Sequence, residues 1–295
     1  MDSNHVTTVD TISRKAFFND FVTPGRPLLI RKMTANWNAL RAWDASYFKS
    51  IEGDLQLATK TGDVSTGKRK AMYLSKYVEL LEEYEYRLRN GEQPVSPPYL
   101  HDVPLFYLLP HLVKDIEPFP LDLFPKWYWK DWHNYIQFFM GGTGSLTPLH
   151  FDTLYTHNLF FQVAGRKKFI LIDPGQKSNC YIEGWRWARL DPSNPDYVKF
   201  PKAKAIKPLE VVLEAGDILF MPSGTLHQVH GLSYSISFNI DWHTPKSAKK
   251  GVLSIFEGAP KNKIYYNSLV LLGVGLKIPS QLIFPYYKSY LNYVS

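Results

Sequence analysis

Two periodicities divide this chain. From Ser75 onward the apolar residues Tyr77, Leu80, Leu81, Tyr84 and Leu88 fall on one face of a 3.6-residue helix, and Gly91 supplies a stop. After Trp132 the pattern shortens to that of strands. Residues 135–140, 158–163, 168–172, 211–213, 218–221 and 234–240 are brief β-type runs punctuated by Gly, Pro and Asp. Several short strands with no long helix between them predict a sandwich or barrel of the jelly-roll kind.

Helix and strand signals mix upstream of that region. The pattern predicts a helix over 12–22, capped by Thr11 or Asp10 and ended by Thr23-Pro24-Gly25, then a strand over 28–31. A second helix is predicted from a cap at Asp44 to Ile51, followed by a strand over 55–58. The proline-rich stretch 94–125 reads as an irregular connection with short helical turns near His111 to Asp115, and the tyrosine-rich residues from Lys263 as two helices broken near Pro279. The expected organisation is a mainly β chain with flanking helices: an N-terminal α/β elaboration at 1–130, a β core at 131–245 and a C-terminal helical segment at 246–295. That last segment is expected to pack on the barrel or to form a homodimer interface, a surface-lying membrane contact being the lesser reading.

Composition narrows the setting more than the activity. The chain has 295 residues, 45% hydrophobic and 21% charged, values of an ordinary globular protein able to bury a real core. Its net charge of +7 favours acidic partners such as nucleic acid. The basic residues are scattered, however, and the short clusters at 68–70, 166–168 and 202–207 are more often solvated faces. A single cysteine, Cys180, cannot close an intramolecular disulfide, and the polar start MDSNHVTTVD lacks the pattern of a signal peptide. An intracellular, cytoplasmic setting is therefore expected. The most apolar run, 268–276, falls short of the ~18 residues that a transmembrane helix needs and ends at Lys277 and Pro279.

Candidate chemistry gathers around three residues. In extended backbone, residues i and i+2 project to the same side, so His150 and Asp152 of the segment 147–152 can share one ion. Two imidazoles and one carboxylate on one face of an octahedron, with the opposite positions open, are the ligand set of non-haem iron(II) oxygenases. His227 lies just past the strand 218–221 and its Pro222-Ser223-Gly224 break, a suitable place for the third ligand, although His157, His230 and His243 compete on sequence alone. The run 234–240 puts Tyr234, Ile236, Phe238 and Ile240 on one face and Ser235, Ser237 and Asn239 on the other, which suits either a polar barrel interior or a solvated sheet face. Gly165-Arg166 predicts a hairpin turn between 158–163 and 168–172. Lys167 is then either a solvated turn lysine or a cation that holds a dicarboxylate inside the barrel.

With those residues in view, the sequence resembles the Jumonji-C oxygenases, and within them the hydroxylase branch that includes the asparaginyl hydroxylase of hypoxia-inducible factor. The resemblance is carried by 25–31 with Asn36-Trp37 and Trp43-Asp44, by 147–152, by 158–167, by the pre-strand insert 194–201 and by 216–227. It implies a double-stranded β-helix (cupin) core, with iron(II) held by His150, Asp152 and His227, and 2-oxoglutarate and O₂ as cosubstrates. It also implies that Lys167, Thr147 and Tyr99 hold the distal carboxylate of 2-oxoglutarate, with Asn158 and Asn239 lining the site near the metal.

The sequence departs from the asparaginyl hydroxylase at two positions: Trp187 stands where that enzyme has a substrate-gripping glutamine, and Asp241 where it has a tryptophan. Both are candidate substrate contacts, and Asp241 suits a basic side chain as well as it suits a strand-end surface carboxylate. The resemblance favours hydroxylation of a protein or peptide side chain. Oxidation of a tRNA base or small molecule, N-methyl-lysine demethylation and a non-catalytic peptide-binding barrel are the competing readings. Demethylation ranks lower because one cysteine leaves no zinc-binding reader module.

Overall fold

The computed structural model describes residues 5–51 and 55–291. Its strands are β1 (Thr7–Val9), β2 (Leu28–Ile30), β3 (Gln56–Lys60), β4 (Arg69–Tyr73), β5 (Leu100–Val103), β6 (Ile136–Gly141), β7 (Leu146–His150) and β8 (His157–Ala164). They continue as β9 (Lys167–Ile172), β10 (Ile182–Glu183), β11 (Trp187–Ala188), β12 (Leu209–Leu213), β13 (Ile218–Met221), β14 (Leu226–Gly231) and β15 (Ser235–Trp242). One sheet runs β1-β2-β13-β8-β15-β6-β5 and the facing sheet β10-β11-β7-β14-β9-β12, while β3 and β4 pair apart from both. From β6 to β9 successive strands alternate between the two sheets, and they do so again from β12 to β15, so the expected double-stranded β-helix is present.

Alternation along each strand separates two environments. Ile136, Phe138 and Met140 of β6 and Ile236, Phe238 and Ile240 of β15 point outward into a large apolar cluster. That cluster is completed by Trp37, Trp43 and Phe48 and by the helix Leu74–Arg89 through Tyr77, Val78 and Leu81. Phe139, Phe160, Phe169, Leu171, Leu213, Leu219 and Val229 point inward and fill one end of the barrel. The polar face of β15 therefore faces the barrel interior, not solvent: Ser237 and Asn239 are buried. The N-terminal region extends the same sheet at both edges, with β2 on β13 and β5 on β6.

Several expectations need correction. Gly165 does make a tight turn at φ +69, but β8 and β9 lie in opposite sheets, so the connection is a crossover between layers and not a hairpin. Local turn chemistry reports a reversal and is blind to which sheet receives the returning strand. The first helix begins at Arg14 with Ser13 as its cap, and it continues from Phe17 to Val22 as a π-helix. His227, expected just past the end of the strand 218–221, lies within a further strand, β14, that follows the Pro222-Ser223-Gly224 break. An additional helix, Pro245–Leu253, precedes the two C-terminal helices Lys261–Leu276 and Ser280–Tyr287, and its Thr244 cap forms a reciprocal pair with Ser247.

Candidate metal centre and its cavity

His150 ends β7, Asp152 follows it in the turn, and His227 is the second residue of β14, directly opposite His150 in the strand pairing. One ligand atom from each of the three lies within 4.8 Å of the other two. His227 Nε2 is 3.9 Å from Asp152 Oδ1, and the two imidazole centroids are 4.2 Å apart. Among the described residues this is the one group of His, Cys, Asp and Glu side chains gathered at metal-binding range. His157, His230 and His243 are outside it. His157 stacks on Trp242 at 4.6 Å and accepts the Ser223 amide, and His243 pairs with Ser247 Oγ at 3.0 Å.

The backbone fixes which ring nitrogens face inward. His150 Nδ1 is 2.8 Å from the Pro148 carbonyl oxygen and His227 Nδ1 is 3.2 Å from that of Thr225. Each Nδ1–H donates there, leaving the Nε2 lone pair for a metal. Burial, with the neighbouring His227 next in weight, holds His150 well below the ordinary imidazole range, so it is ready as a neutral ligand. Asn158 Nδ2 donates to Asp152 Oδ2 at 3.1 Å and so turns the other carboxylate oxygen toward the imidazoles. Two nitrogen donors and one carboxylate oxygen on one side, opening on a cavity, suit iron(II).

That cavity, about 180 Å³, runs inside the barrel from the triad to Lys167. Lys167 is 1% exposed and is ion-paired with no carboxylate among the described residues; its ammonium donates to Tyr99 Oη at 3.0 Å and Ser237 Oγ at 2.8 Å. The rings of Tyr99, Phe139 and Phe160 stand 5.2 to 5.5 Å from it. Burial pulls this amine down to about 7. Of the two readings that the sequence left open, the solvated turn lysine is therefore excluded by position. Gly141 makes room for this arrangement, since a Cβ there would lie 2.7 Å from the Tyr99 ring.

Thr147 is wired to a buried polar chain. Lys60 Nζ lies 2.9 Å from both His101 Nδ1 and Asp102 Oδ2, and His101 Nε2 is 3.2 Å from Thr147 Oγ1. Asp102 Oδ2 is also 2.9 Å from His101 Nδ1, so the carboxylate faces both the Lys60 amine and the ring, and Thr147 Oγ1 is joined to this group through His101 Nε2. Burial lowers His101 to about 4, which keeps the ring neutral.

Asn239 and Asp241 also line the cavity, and Asn239 Nδ2 donates to Asp241 Oδ1 at 3.0 Å. Burial, and after it the charge of Asp152, pushes the Asp241 carboxyl well above its usual range. The buried Oδ1 atoms of Asn158 and Asn239 have no hydrogen-bond partner among the described residues, so both acceptors remain available to a ligand. Trp187, on β11, is the cross-strand partner of His150 and lies beside it with ring centroids 4.8 Å apart, while its neighbour Arg186 lines the cavity. The structure thus brings together nine of the ten sequence-designated positions around one cavity and sets Trp187 next to His150.

Sequence reasoning missed Lys60, His101, Asp102, Ser237, Arg186, Lys263 and Tyr290, which also belong to this site. A signal existed for two of them. His101 lies two residues beyond Tyr99, and Ser237 two before Asn239, so strand alternation puts each on the face of an already designated neighbour. Lys60, on β3, and Lys263, on a C-terminal helix, reach the site only through the tertiary fold.

Comparison with known proteins agrees with this geometry. The chain is 27% identical over 264 residues to the chicken (Gallus gallus) 2-oxoglutarate and iron-dependent oxygenase JMJD4, a match covering 81% of this chain and 61% of that protein. It is 27% identical over 241 residues to lysine-specific demethylase JMJ30 of Arabidopsis thaliana, covering 78% and 53%. It is 24% identical over 258 residues to chicken tRNA wybutosine-synthesizing protein 5, covering 81% and 78%. The chain spans a little over half the length of several of the curated relatives it matches. Residues 14–248 match the cupin-like domain across both sheets and the whole triad, and the chain therefore belongs to the cupin-like domain family.

Proposed function

We propose that this chain is an iron(II)- and 2-oxoglutarate-dependent oxygenase that hydroxylates a protein or peptide side chain. The observation that carries the reading is a buried lysine, hydrogen-bonded to Tyr99 and Ser237 but ion-paired with no carboxylate among the described residues, in the same cavity as a two-histidine, one-carboxylate cluster. A buried ammonium without a counter-charge costs several kcal/mol, and an anionic ligand offsets that penalty. His227 pairs with Leu171, four residues along β9 from Lys167 and thus ~13 Å away at the rise of a strand. A lysine stem and a five-carbon dicarboxylate, end to end, span such a gap.

His150, Asp152 and His227 would hold the iron, with Lys167, Tyr99 and Thr147 on the distal carboxylate and Asn158 and Asn239 beside the metal. Iron and 2-oxoglutarate together, when bound, use O₂ to place one oxygen atom in a substrate C–H bond, releasing succinate and CO₂. The chain's own part is positional. The carbonyls of Pro148 and Thr225 fix the two imidazoles, Asn158 fixes Asp152, and the apolar end of the barrel shields Lys167 from water. Asp241, its carboxyl held above the usual range by burial and facing the cavity beside Asn239, offers polar contact to an incoming side chain, with Trp187 beside His150.

Anaerobic calorimetry with iron(II) and 2-oxoglutarate tests this reading. The wild-type chain should bind both, and loss of the charge-assisted pair in Lys167→Ala should weaken 2-oxoglutarate binding about 100-fold while iron binding persists. His150→Ala should lose the iron. A wild-type chain that binds iron but not 2-oxoglutarate sinks the proposal. A second reading, oxidation of a tRNA base, is supported by the +7 charge and by the wybutosine-synthesizing relative. RNA affinity that falls steeply with salt would favour it over a peptide substrate.

Two further parts of the proposal concern setting. We place the chain in the cytoplasm on the strength of its single, buried cysteine. No helix among the described residues is long and apolar enough to cross a membrane. The C-terminal helices expose Tyr265, Leu272, Leu276, Leu282 and Tyr286, an apolar surface suited to a second copy of the chain.

A further inference from the structure

The cavity is lined partly by the C-terminal region of the same chain, through Lys263 of the helix Lys261–Leu276 and Tyr290 of the short 3-10 segment Lys288–Leu291, and partly by Arg186 from the turn before β11. Both cations lie over aromatic rings, as Arg14, Lys126 and Lys250 do elsewhere, and these two line one cavity. Arg186 Cζ sits 4.4 Å over the Trp187 ring and Lys263 Nζ 5.2 Å over the Tyr290 ring. Among the described residues neither is ion-paired, whereas Arg31, Lys60, Arg166 and Lys168 each have a carboxylate partner. Three carboxylates line the same cavity, and each has another engagement. Asp102 is bound to Lys60, Asp152 belongs to the metal cluster and accepts from Asn158, and Asp241 accepts from Asn239.

Two cations fixed over aromatic faces, with their donors unspent, are prepared for an anion. Burial and the nearby Arg186 both lower Lys263, and an anion between them reverses that strain. A polyanion fits poorly, because the Asp102 carboxylate, held against its burial well below its usual range by His101 and Lys60, lines the same cavity and a run of phosphates would meet it.

We infer that Arg186 and Lys263 form a clamp for one acidic side chain flanking the target residue of a peptide substrate, so that the C-terminal helices help to set substrate sequence. This rests on the peptide-hydroxylase reading and deepens it. The target side chain would enter toward Asn239 and Asp241 while its acidic neighbour is held at the rim.

The test is a peptide array read under argon with the full chain loaded with iron(II) and 2-oxoglutarate. A central position is varied through all residue types and flanked by Glu, Ser or Lys. Glu-flanked peptides should bind about tenfold more tightly than their Ser-flanked counterparts. That preference should vanish in Arg186→Gln and in Lys263→Gln and return in Lys263→Arg; the melting temperature and 2-oxoglutarate affinity of each variant check that the fold is intact. Equal binding of Glu and Ser peptides, or a preference that survives both Gln variants, overturns the clamp. So does single-stranded RNA held more tightly than any peptide and released by the same substitutions. Failure to bind 2-oxoglutarate would instead strike the oxygenase reading, and the array would still report separately on the clamp.

Discussion

At the scale of single residues, the most informative group is Lys167. A lysine with no carboxylate partner among the described residues, inside a barrel and lowered to about 7, is partly neutral near neutrality. A dicarboxylate beside it favours the charged form, so binding raises the amine's pKa. The sign follows directly: affinity for 2-oxoglutarate should be greatest below about pH 7, where the amine is already charged, and should decline as pH rises above it. Calorimetry at pH 8 in buffers of different ionisation enthalpy should therefore detect proton uptake on binding. Uptake that is absent at pH 8, with affinity flat from 6 to 9, would mean that the amine carries its charge regardless of ligand. Thr147 illustrates the same scale differently. Its hydroxyl is joined through His101 to the buried Lys60–Asp102 pair.

At the scale of elements, strand β15 joins fold and site. Its outward residues Ile236, Phe238 and Ile240 anchor the barrel to the N-terminal layer, and its inward residues Ser237 and Asn239 serve the cavity. Phe238 is fully buried, with its ring 4.8 Å from that of Phe161, 5.3 Å from that of Phe106 and 5.9 Å from that of Trp37. Truncation to Ala should leave a cavity and cost about 3–5 kcal/mol, read as a lowered denaturation midpoint. Because its side chain faces away from the metal, the folded fraction of Phe238→Ala should keep 2-oxoglutarate affinity near that of wild type. A stability loss below about 1 kcal/mol would show that the layer repacks around it. The alternation that separates these two faces was visible in the sequence, but which face was wet was not, since period 2 is the same for a barrel wall and a solvated sheet.

At the scale of the whole molecule, the C-terminal helices have two faces, one contributing Lys263 and Tyr290 to the cavity and the other exposing Leu276 at 69% and Leu282 at 63%. If that outer face pairs two copies, light scattering should give twice the 34.1 kDa chain mass, and Leu276→Asp with Leu282→Asp should halve it. A wild-type protein that scatters as a monomer at micromolar concentration removes the dimer. By itself the sequence determined the strand-rich core and the pairing of His150 with Asp152, because spacing of two in extended backbone and apolar periodicity are local properties that survive without neighbours, whereas His227 was singled out from His157, His230 and His243 only by the family resemblance. Only the tertiary structure decided that β8 and β9 lie in opposite layers, that His227 faces His150 across a strand pair, and that Lys60, Arg186 and Lys263 converge on one cavity. Those residues are brought together by sheet packing and helix placement across long stretches of chain, and no local pattern of side chains encodes such distances.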